Sequence, residues 1–566
     1  EAKGYNQLDE LRVTATDSGS GTYPAGVAKV KVSLQIDPNG SPPGDFWDGI
    51  NGPGHFTSSE EVWVDATWSA PYWRISITST TWTSGYQYRI RAKSEDSVPD
   101  NPNIEVPGSG TIFSIDNLAP SSVFVLPEDG KSYNSLPQIE GTASDDASGV
   151  KEVWITILNQ TAVPNVYYQA PGWATGIKWL KCTGTTSWYY ISPSWDSATQ
   201  YKIDVKAIDN TDNQETPHSA TFLMDNQPPD TVMTSPSGNY QNQVLSISGT
   251  SSDDYSGVKE VWVKIMDVTA EPDWYWTGAG WAEGVNWVQA STPTATSWSY
   301  GNPPTITWQT GHEYWITPRG TDNGGNTETS LSTSTFIFDS SEPDSIVSVP
   351  QEGSYKKSLT QISGTAEDKP TGAGLVNAGL KDVWIRIRDI TSEPDKWWTG
   401  TEWSTTTIKY VKVTGTSSWT YSFNDNNWTS GYEYWINVKA YDNVPNEEIS
   451  ISTRTFVIDK DAPTVSVTSP TGDLKVAPDK VSGTAVDHPD SPLVNSGVGK
   501  VELEIKDTTA SPNEYWDGNV WVTTATWFDI GSTSWEYTVP QASTTWTDGH
   551  LYRLQARATD GTGTNV

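Results

Sequence analysis

Short stretches in which apolar and polar residues alternate occur along the whole chain. In 153–157 and 201–207, for example, every second residue is apolar, which is the period of a β-strand with one buried face. Turn-forming Gly, Pro, Asn and Asp separate these stretches, and no segment has the 3.6-residue apolar period of an amphipathic helix. The pattern predicts an all-β chain of short antiparallel strands.

The chain contains four similar segments in which an aspartate follows an apolar stretch and precedes a proline. The aspartates are Asp116, Asp225, Asp339 and Asp459, at successive separations of 109, 114 and 120 residues. These separations are too long for a solenoid repeat and suit a small domain. The four junctions therefore divide the chain into five repeats, predicted as 1–118, 119–227, 228–341, 342–461 and 462–566.

Each repeat carries about seven short strands in the same order, which is typical of an antiparallel β-sandwich. Repeat 1 begins at Gly4-Tyr5, which aligns with Ser132-Tyr133 of repeat 2, so we expect it to lack its first strand. Repeat 5 stops soon after its sixth strand, and we expect it to lack its final strand. Both ends fit a window taken from a longer array.

Several phrases resemble those of bacterial Ig-like domains over the entire chain. They are the Asp-x-x-x-Pro junction, the Gly-Thr-Ala-x-Asp phrase, the Ser-Gly-Val turn and the Ala-x-Asp-Asn loop. The resemblance implies five tandem Ig-like sandwiches in a large secreted or cell-surface protein of the adhesin, stalk or surface-layer type. Gly-x-x-Tyr before the sixth strand is similar to the tyrosine corner of such domains. Repeat 2 departs from it, with Ala198 in place of the glycine before Tyr201.

Composition restricts the function. Acidic residues outnumber basic ones by 69 to 35, for a formal charge of −34, so nucleic acid and anionic membrane surfaces are not expected partners. No apolar run is long enough to insert in a membrane. Cys182 is the single cysteine, which excludes an intrachain disulfide and a cysteine-based zinc site. With five histidines and no recognised catalytic motif, the chain is not expected to be an enzyme.

Acidic loops point to calcium. In an Ig sandwich the loops after the second and sixth strands share one pole, which also receives the preceding linker, and calcium prefers six to eight oxygen ligands. The layout is similar to the interdomain calcium sites of cadherins but lacks their acidic motif. The alternative is that these residues only make Asx turns. The candidate ligands are Asp116, Asp145, Asp146, Asp209 and Asp212 at the first junction, and Asp225, Asp253, Asp254, Asp322 and Asn326 at the second.

Tryptophans on the outer face form a second candidate surface. Alternation places Trp154, Trp262 and Trp384 of the third strand, and Trp315 and Trp435 of the sixth, opposite the core-facing residues. Because these two strands are neighbours in the fold, we expect aromatic patches on repeats 3 and 4. Three explanations stay open: the long segment after the third strand covers them, another subunit covers them, or they stack on sugars.

Together these features predict an extracellular structural protein. The array would form a stalk, filament or surface lattice through contacts between copies of itself. The alternative is a cell-surface adhesin that binds glycans through the outward tryptophans. Sequons at Asn39, Asn159 and Asn427 are candidate glycosylation sites and fit a secreted protein.

Overall fold

The computed structural model describes residues 3–18, 26–40, 43–291, 296–301, 306–564 and 566. Nearly all regular structure in these residues is β. The exceptions are 3₁₀ turns at Ser79–Thr81 and Asp425–Asn427 and one short helix, Ala542–Thr545. Across the described ranges, no helix has the length and apolar character needed to cross a membrane.

The strands are numbered in chain order. Repeat 1 contains β1 (Gly4–Tyr5), β2 (Glu10–Val13), β3 (Val27–Ile36), β4 (Phe46–Trp47), β5 (Phe56–Ser58), β6 (Val64–Asp65), β7 (Thr67–Ser69), β8 (Tyr72–Ser76), β9 (Gln87–Asp96) and β10 (Thr111–Ile115). Repeat 2 contains β11 (Ser121–Leu126), β12 (Lys131–Tyr133), β13 (Gln138–Ser144), β14 (Val150–Asn159), β15 (Val166–Tyr168), β16 (Trp173–Ala174), β17 (Leu180–Lys181), β18 (Thr183–Gly184), β19 (Ser187–Ile191), β20 (Thr199–Asp209) and β21 (His218–Met224).

The remaining repeats follow the same order. Repeat 3 contains β22 (Asp230–Ser235), β23 (Tyr240–Gln241), β24 (Ile247–Ser252), β25 (Val258–Asp267), β26 (Trp274–Trp276), β27 (Trp281–Glu283), β28 (Val288–Gln289), β29 (Trp298–Tyr300), β30 (His312–Asp322) and β31 (Ser334–Phe338). Repeat 4 contains β32 (Asp344–Val349), β33 (Ser354–Lys356), β34 (Gln361–Glu367), β35 (Leu380–Asp389), β36 (Lys396–Trp398), β37 (Trp403–Ser404), β38 (Val411–Lys412), β39 (Ser418–Ser422), β40 (Tyr432–Asp442) and β41 (Thr453–Ile458). Repeat 5 contains β42 (Thr464–Ser469), β43 (Lys480–Val486), β44 (Val498–Asp507), β45 (Glu514–Trp516), β46 (Trp521–Val522), β47 (Phe528–Gly531), β48 (Ser534–Thr538) and β49 (Tyr552–Asp560).

Repeat 2 shows the topology of the full unit. One sheet has the order β11-β13-β19, and the other has the order β12-β21-β20-β14-β15. The pair β12–β21 is parallel and the other pairs are antiparallel. This is the Ig arrangement, so we use its letters: A for β11, A′ for β12, B for β13, C for β14, E for β19, F for β20 and G for β21. Repeats 3 and 4 have the same order.

The predicted all-β fold of tandem Ig-like antiparallel sandwiches is confirmed. Repeat 1 has strands at positions A′ through G and, among its described residues, none at position A. Repeat 5 has strands at A, B, C, E and F, and within the part of it that is described none pairs with β49 at position G.

The core of each repeat lies between the inward faces of the two sheets. In strand F of repeat 2, Tyr201, Ile203 and Val205 are fully buried, as the alternation predicts. Trp188 of strand E packs over Gly141 of strand B, where an added Cβ would overlap the indole ring. Only glycine leaves room for this ring. The same pair recurs as Trp298 with Gly249, Trp419 with Gly364, and Trp535 with Gly483.

The tyrosine corner is present in every repeat, including repeat 2. The hydroxyl of Tyr201 accepts a hydrogen bond from the Asp196 amide at 3.1 Å. Ala198 adopts φ +61°, the left-handed conformation that Gly85, Gly311 and Gly431 adopt elsewhere, so the departure in sequence does not change the turn. The equivalent bonds join Tyr88 to Thr83, Tyr314 to Gln309, Tyr434 to Thr429, and Tyr552 to Thr547.

Candidate metal centres at the repeat junctions

Acidic side chains meet where one repeat joins the next. At the first junction Asp116, just after strand G of repeat 1, lies beside Asp145 and Asp146 of the B–C loop of repeat 2. Each residue offers an oxygen, and these oxygens lie within 4.8 Å of one another. The sequence had predicted that the linker and the B–C loop would converge, and the structure brings these three residues together.

The second and third junctions replace one B–C loop residue with an aspartate at the end of strand F. The second cluster is Asp225, Asp253 and Asp322, and the third is Asp339, Asp368 and Asp442. The third cluster is not among the sequence predictions, although Asp368 ends a Gly-Thr-Ala-x-Asp phrase at 364–368 as Asp145 does at 141–145 in repeat 2. Aligning the repeats on their junction aspartates would have revealed it.

The fourth junction contains the equivalent residues Asp459, Asp487 and Asp560, and all three are buried. One oxygen of Asp487, Oδ1, is buried without a hydrogen-bond partner. Burial, together with the charges of Asp459 and Asp560, raises the pKa of Asp487. A buried carboxylate oxygen without a donor is costly, and it is the kind of atom that a bound cation satisfies.

The junction aspartate connects two repeats through hydrogen bonds. Its carboxylate oxygen Oδ2 accepts a hydrogen bond from a backbone amide in the B–C loop of the next repeat. Its carbonyl oxygen accepts one from an asparagine amide in the F–G loop at the first three junctions. The amides are Ser148, Ser256, Ala378 and Ser496, and the asparagines are Asn213, Asn326 and Asn446. These bonds fix the acidic groups relative to both repeats.

Four predicted ligands lie outside the clusters. Asp209 is buried, but its Oδ1 accepts hydrogen bonds from the amides of Thr211 and Asn213 within its own loop. The side chain of Asp212 is 68% exposed and pairs with Lys151.

Asp254 is also exposed. Asn326 points its amide nitrogen at the Asp225 carbonyl, and a nitrogen donor is no ligand for calcium. The loop bonds of Asp209 are those of an Asx turn, and Asp442 of the third cluster makes the same bonds.

The third cluster has the least favourable electrostatics without a cation. Asp339, Asp368 and Asp442 are all buried, and none of them forms an ion pair with a described lysine, arginine or histidine. Burial, with the charges of Asp339 and Asp442, raises the pKa of Asp368 to about 6. At the first junction, by contrast, burial raises the pKa of Asp116 but hydrogen bonds led by those from Ser148 outweigh it, and the pKa is lowered.

These groups fit a hard divalent cation. Calcium binds carboxylate and carbonyl oxygens in a flexible geometry and tolerates waters as further ligands. Three buried carboxylates and an unpartnered Asp487 oxygen supply that chemistry. Cysteine and histidine, which softer metals prefer, are absent from all four sets.

The outer face of the C–F sheet differs from the prediction. Strand register places Trp262 opposite Arg319 and Trp315 opposite Met266. Trp384 likewise lies opposite Lys439. The expected patches that pair a third-strand with a sixth-strand tryptophan therefore do not form, because register offsets the two rings by four residues along the strands.

Cation–π contacts occupy this face in every repeat. An aromatic residue from the segment that follows strand C lies against a lysine or arginine of strand F, with the charge 4.1 to 5.8 Å from the ring centroid. The pairs are Trp63 with Lys93, Trp179 with Lys206, Trp287 with Arg319, Tyr410 with Lys439, and Trp527 with Arg557. These pairs were not predicted from the sequence, although both partners recur in each repeat.

The same segment also pairs along strand C. Trp154 lies opposite Lys181 of β17, and Trp262 and Trp384 have equivalent partners in β28 and β38. All three rings are partly buried, while Trp315 stays 41% exposed. The rings of Trp435 and Trp397 pack edge to face, with their centroids 6.3 Å apart. The outward tryptophans are thus partly covered by their own repeats.

No protein-family model and no curated protein matches the chain. Among solved structures, it is similar to a tetra-tandem repeat in the extending region of a large adhesion protein, at 16% identity and a TM-score of 0.23, over 76% of this chain and 98% of that one. It is similar to a Ca²⁺-stabilized adhesin that helps an Antarctic bacterium bind ice, at 10% identity and a TM-score of 0.24, over 81% and 96%. Fibronectin(III)-like modules from Clostridium thermocellum match at 16% identity and a TM-score of 0.20, over 40% and 90%.

Proposed function

We propose that the chain is an extracellular structural array whose repeats are joined by divalent cations, with calcium as the ion. The observation that carries the proposal is the buried cluster at the third junction. Asp339 belongs to the end of repeat 3, whereas Asp368 and Asp442 belong to repeat 4. Neither repeat holds the complete set, so an ion bound there links the two.

The energetics favour such an ion. Each buried carboxylate carries a desolvation penalty of several kcal/mol unless it is compensated, and three of them repel one another at this separation. A divalent cation reduces the local charge from −3 to −1 and supplies attraction to all three groups. Sites with few carboxylates bind calcium weakly, on the order of 10⁻⁴ to 10⁻³ M in extracellular modules, which suits the surroundings of a secreted or surface protein.

The surface charge supports the structural part of the proposal. A net charge of −34 keeps separate copies apart and favours an extended chain unless cations screen or bridge it. The array would act as a stalk, and copies would associate into filaments or a surface lattice where calcium bridges their surfaces. No catalytic role is part of this proposal.

Calcium titration of the full chain tests the proposal. We expect isothermal titration of calcium-stripped protein to show binding, and hydrogen exchange to slow in the B–C and F–G loops at the junctions. Asp442→Asn should remove one binding event, whereas the matched variant Asp254→Asn, at an exposed aspartate outside the clusters, should retain all of them. Absence of binding heat together with unchanged exchange at every junction would contradict the cation sites.

Electron microscopy of the full chain in calcium tests the assembly. Extended beaded rods support a stalk, and ordered filaments or sheets support self-association. Compact particles with no extended form would contradict both. The same sample in chelator shows whether calcium is needed for the extended shape.

A glycan-binding adhesin is the second candidate, and a cleft on repeat 4 favours it. The cleft has a volume of about 390 Å³, and the residues that line it are Trp384, Tyr410, Tyr441, Lys381, Asp382, Asp442 and Pro445. That volume, with three aromatic rings beside charged groups, is typical of small-ligand sites. Trp384→Ala should abolish glycan-array binding while Trp315→Ala, at an exposed ring outside the cleft, should not; no binding by the unaltered chain removes this candidate.

A further inference from the structure

The B–C loops of the repeats fall into two length classes. In repeats 2 and 3 the loop spans 145–149 and 253–257, whereas in repeats 4 and 5 it spans 368–379 and 487–497. The two long loops end in the same phrase, Leu-Val-Asn followed by Ala or Ser and then Gly, at 375–379 and 493–497. A shared phrase inside an insertion suggests a shared contact.

Each long loop is held in one shape by its own hydrogen bonds. The Asn377 side chain donates to the carbonyl oxygens of Asp368 and Pro370 at 3.2 and 3.3 Å. Asn495 donates in the same way to Asp487 and Pro489 at 3.2 and 3.0 Å. Because the phrase is tied back to the start of its loop, little conformational entropy remains to be lost when the loop makes an external contact.

The external contact is with the preceding repeat. The Val376 amide donates to the Gly311 carbonyl oxygen at 2.9 Å, across the third junction. A Cβ added to Gly311 would lie 2.6 Å from Pro370 Cγ and 3.1 Å from Leu375 Cβ. The loop therefore packs directly against the turn between strands E and F.

The fourth junction repeats this contact with different residues. The Val494 amide donates to the Gly431 carbonyl oxygen at 3.1 Å, and a Cβ on Gly431 would lie 2.8 Å from Leu493 Cβ. Two independent junctions thus use the same amide, the same carbonyl and the same leucine position.

The first two junctions lack this contact in the described residues. The nearest atom to a Cβ added at Gly85 is the Ala147 side chain at 4.0 Å, which is ordinary van der Waals contact. Ala198 occupies the corresponding turn at the second junction, and no backbone hydrogen bond from the described B–C loop reaches it. Here the repeats are joined by the linker and by loop contacts such as the bond from the Asn134 amide to the Gly324 carbonyl oxygen, at 2.9 Å.

We infer that the Leu-Val-Asn-x-Gly loops are latches that lock repeats 3, 4 and 5 into one rigid segment, while the junctions before repeats 2 and 3 act as hinges. The latch bonds involve no metal ligand oxygen, so the latched junctions stay aligned when calcium is removed. The calcium dependence of the hinges rests on the proposed function, but the difference between the two classes of junction does not.

Distances between spin labels on the full chain test this inference. Thr175, Glu283 and Thr405 are exposed and occupy equivalent positions, two residues after the first tryptophan of β16, β27 and β37. Cysteine pairs at 175/283 and 283/405 report the second and third junctions in a Cys182→Ala background. We expect the 283/405 distribution to be narrow in calcium and in chelator, and the 175/283 distribution to broaden at least twofold in chelator.

Two variants identify the latch as the cause. Gly311→Ala places a methyl group against Pro370 and should broaden the 283/405 distribution in chelator. Gly549 has a φ of +77°, similar to the +83° of Gly311, but no atom lies within 4 Å of an added Cβ, so Gly549→Ala should leave the distribution unchanged. Leu375→Ser removes the packing without touching the turn and should act like Gly311→Ala. Equal widths at the two junctions in chelator, or an unchanged width in both latch variants, would overturn the inference. If the 175/283 distribution has the same width in calcium and in chelator while the 283/405 distribution is narrow, the result would contradict the proposed cation binding and leave the latch inference standing.

Discussion

Replacing Asp368 by asparagine should change stability in opposite directions with and without calcium. Asp368 lies in the third junction cluster with Asp339 and Asp442, and its pKa is raised from an ordinary value of 3.8 to about 6. The raised pKa means that the folded state disfavours the ionised form that exists at pH 7. Asparagine removes this charge while keeping the size of the side chain.

The magnitude follows from the two pKa values. A shift of about two units corresponds to roughly 3 kcal/mol of penalty on the ionised group, at about 1.4 kcal/mol per unit. Asparagine also loses an acceptor, because the two oxygens of Asp368 accept hydrogen bonds from the amides of Gly379 and Lys369 at 2.6 and 3.0 Å, which costs about 1–2 kcal/mol. Without calcium, Asp368→Asn should therefore raise the free energy of unfolding by about 1 kcal/mol.

In calcium, Asp368→Asn should lower the free energy of unfolding instead of raising it. The ion needs the carboxylate oxygen, so the variant loses a ligand and the stabilisation that saturating ion provides to the folded state. At calcium 100-fold above the dissociation constant that stabilisation is about 2.7 kcal/mol. The variant should then be less stable than the unaltered chain.

Hydrogen exchange measured by mass spectrometry gives the stability of repeat 4 within the intact chain. Amides of β35 and β40 should exchange more slowly in Asp368→Asn than in the unaltered chain in chelator, and faster in calcium. Asp254→Asn, with the same chemistry at an exposed site, should change neither. The reasoning fails if Asp368→Asn shifts exchange in the same direction under both conditions.

Three further predictions concern other features. In chelator, the opening free energy of repeat 4, obtained from exchange rates corrected for the intrinsic rate at each pH, should be larger at pH 5 than at pH 7, because the raised pKa of Asp368 makes the folded state bind the proton more tightly than the unfolded chain. A smaller opening free energy at pH 5 would contradict this. Gly364→Ala should lower the free energy of unfolding of repeat 4 by about 2 kcal/mol or more, because the added Cβ would overlap the Ile346 carbonyl and the Trp419 ring. Gly280→Ala places its methyl group in open space and should have little effect on the stability of its own repeat. Lys206→Met should lower the free energy of unfolding of repeat 2 by about 1 kcal/mol, because it removes the cation–π contact in which Lys206 Nζ lies 4.4 Å from the Trp179 ring centroid. Chemical denaturation that gives the same free energy of unfolding for the variant and the unaltered chain would show that the contact contributes nothing.

The junction chemistry was only partly predictable. The linker and B–C loop aspartates of the first two junctions could be placed together because the Ig topology brings those loops to one pole. The third cluster was not predicted, although Asp368 stands in the same Gly-Thr-Ala-x-Asp phrase as Asp145, because the insertion that follows Asp368 makes the rest of the loop look different. Asp212 and Asn326 sit in loops of the expected pole, but Asp212 pairs with Lys151. Asn326 contacts the second cluster through its amide nitrogen, which donates to Asp225 and Asp322.

The sequence by itself determined the repeat number, the strand period and the residues that face each core. Those properties are local, because a side chain on a strand alternates with its neighbours whatever the strand pairs with. Only the tertiary structure decided register, which places Trp262 opposite Arg319 instead of beside Trp315. It also decided which loops touch the preceding repeat, as Val376 does at Gly311. Register and contacts between repeats depend on packing between residues far apart in the chain, and the alternation of apolar and polar residues within one strand does not predict them.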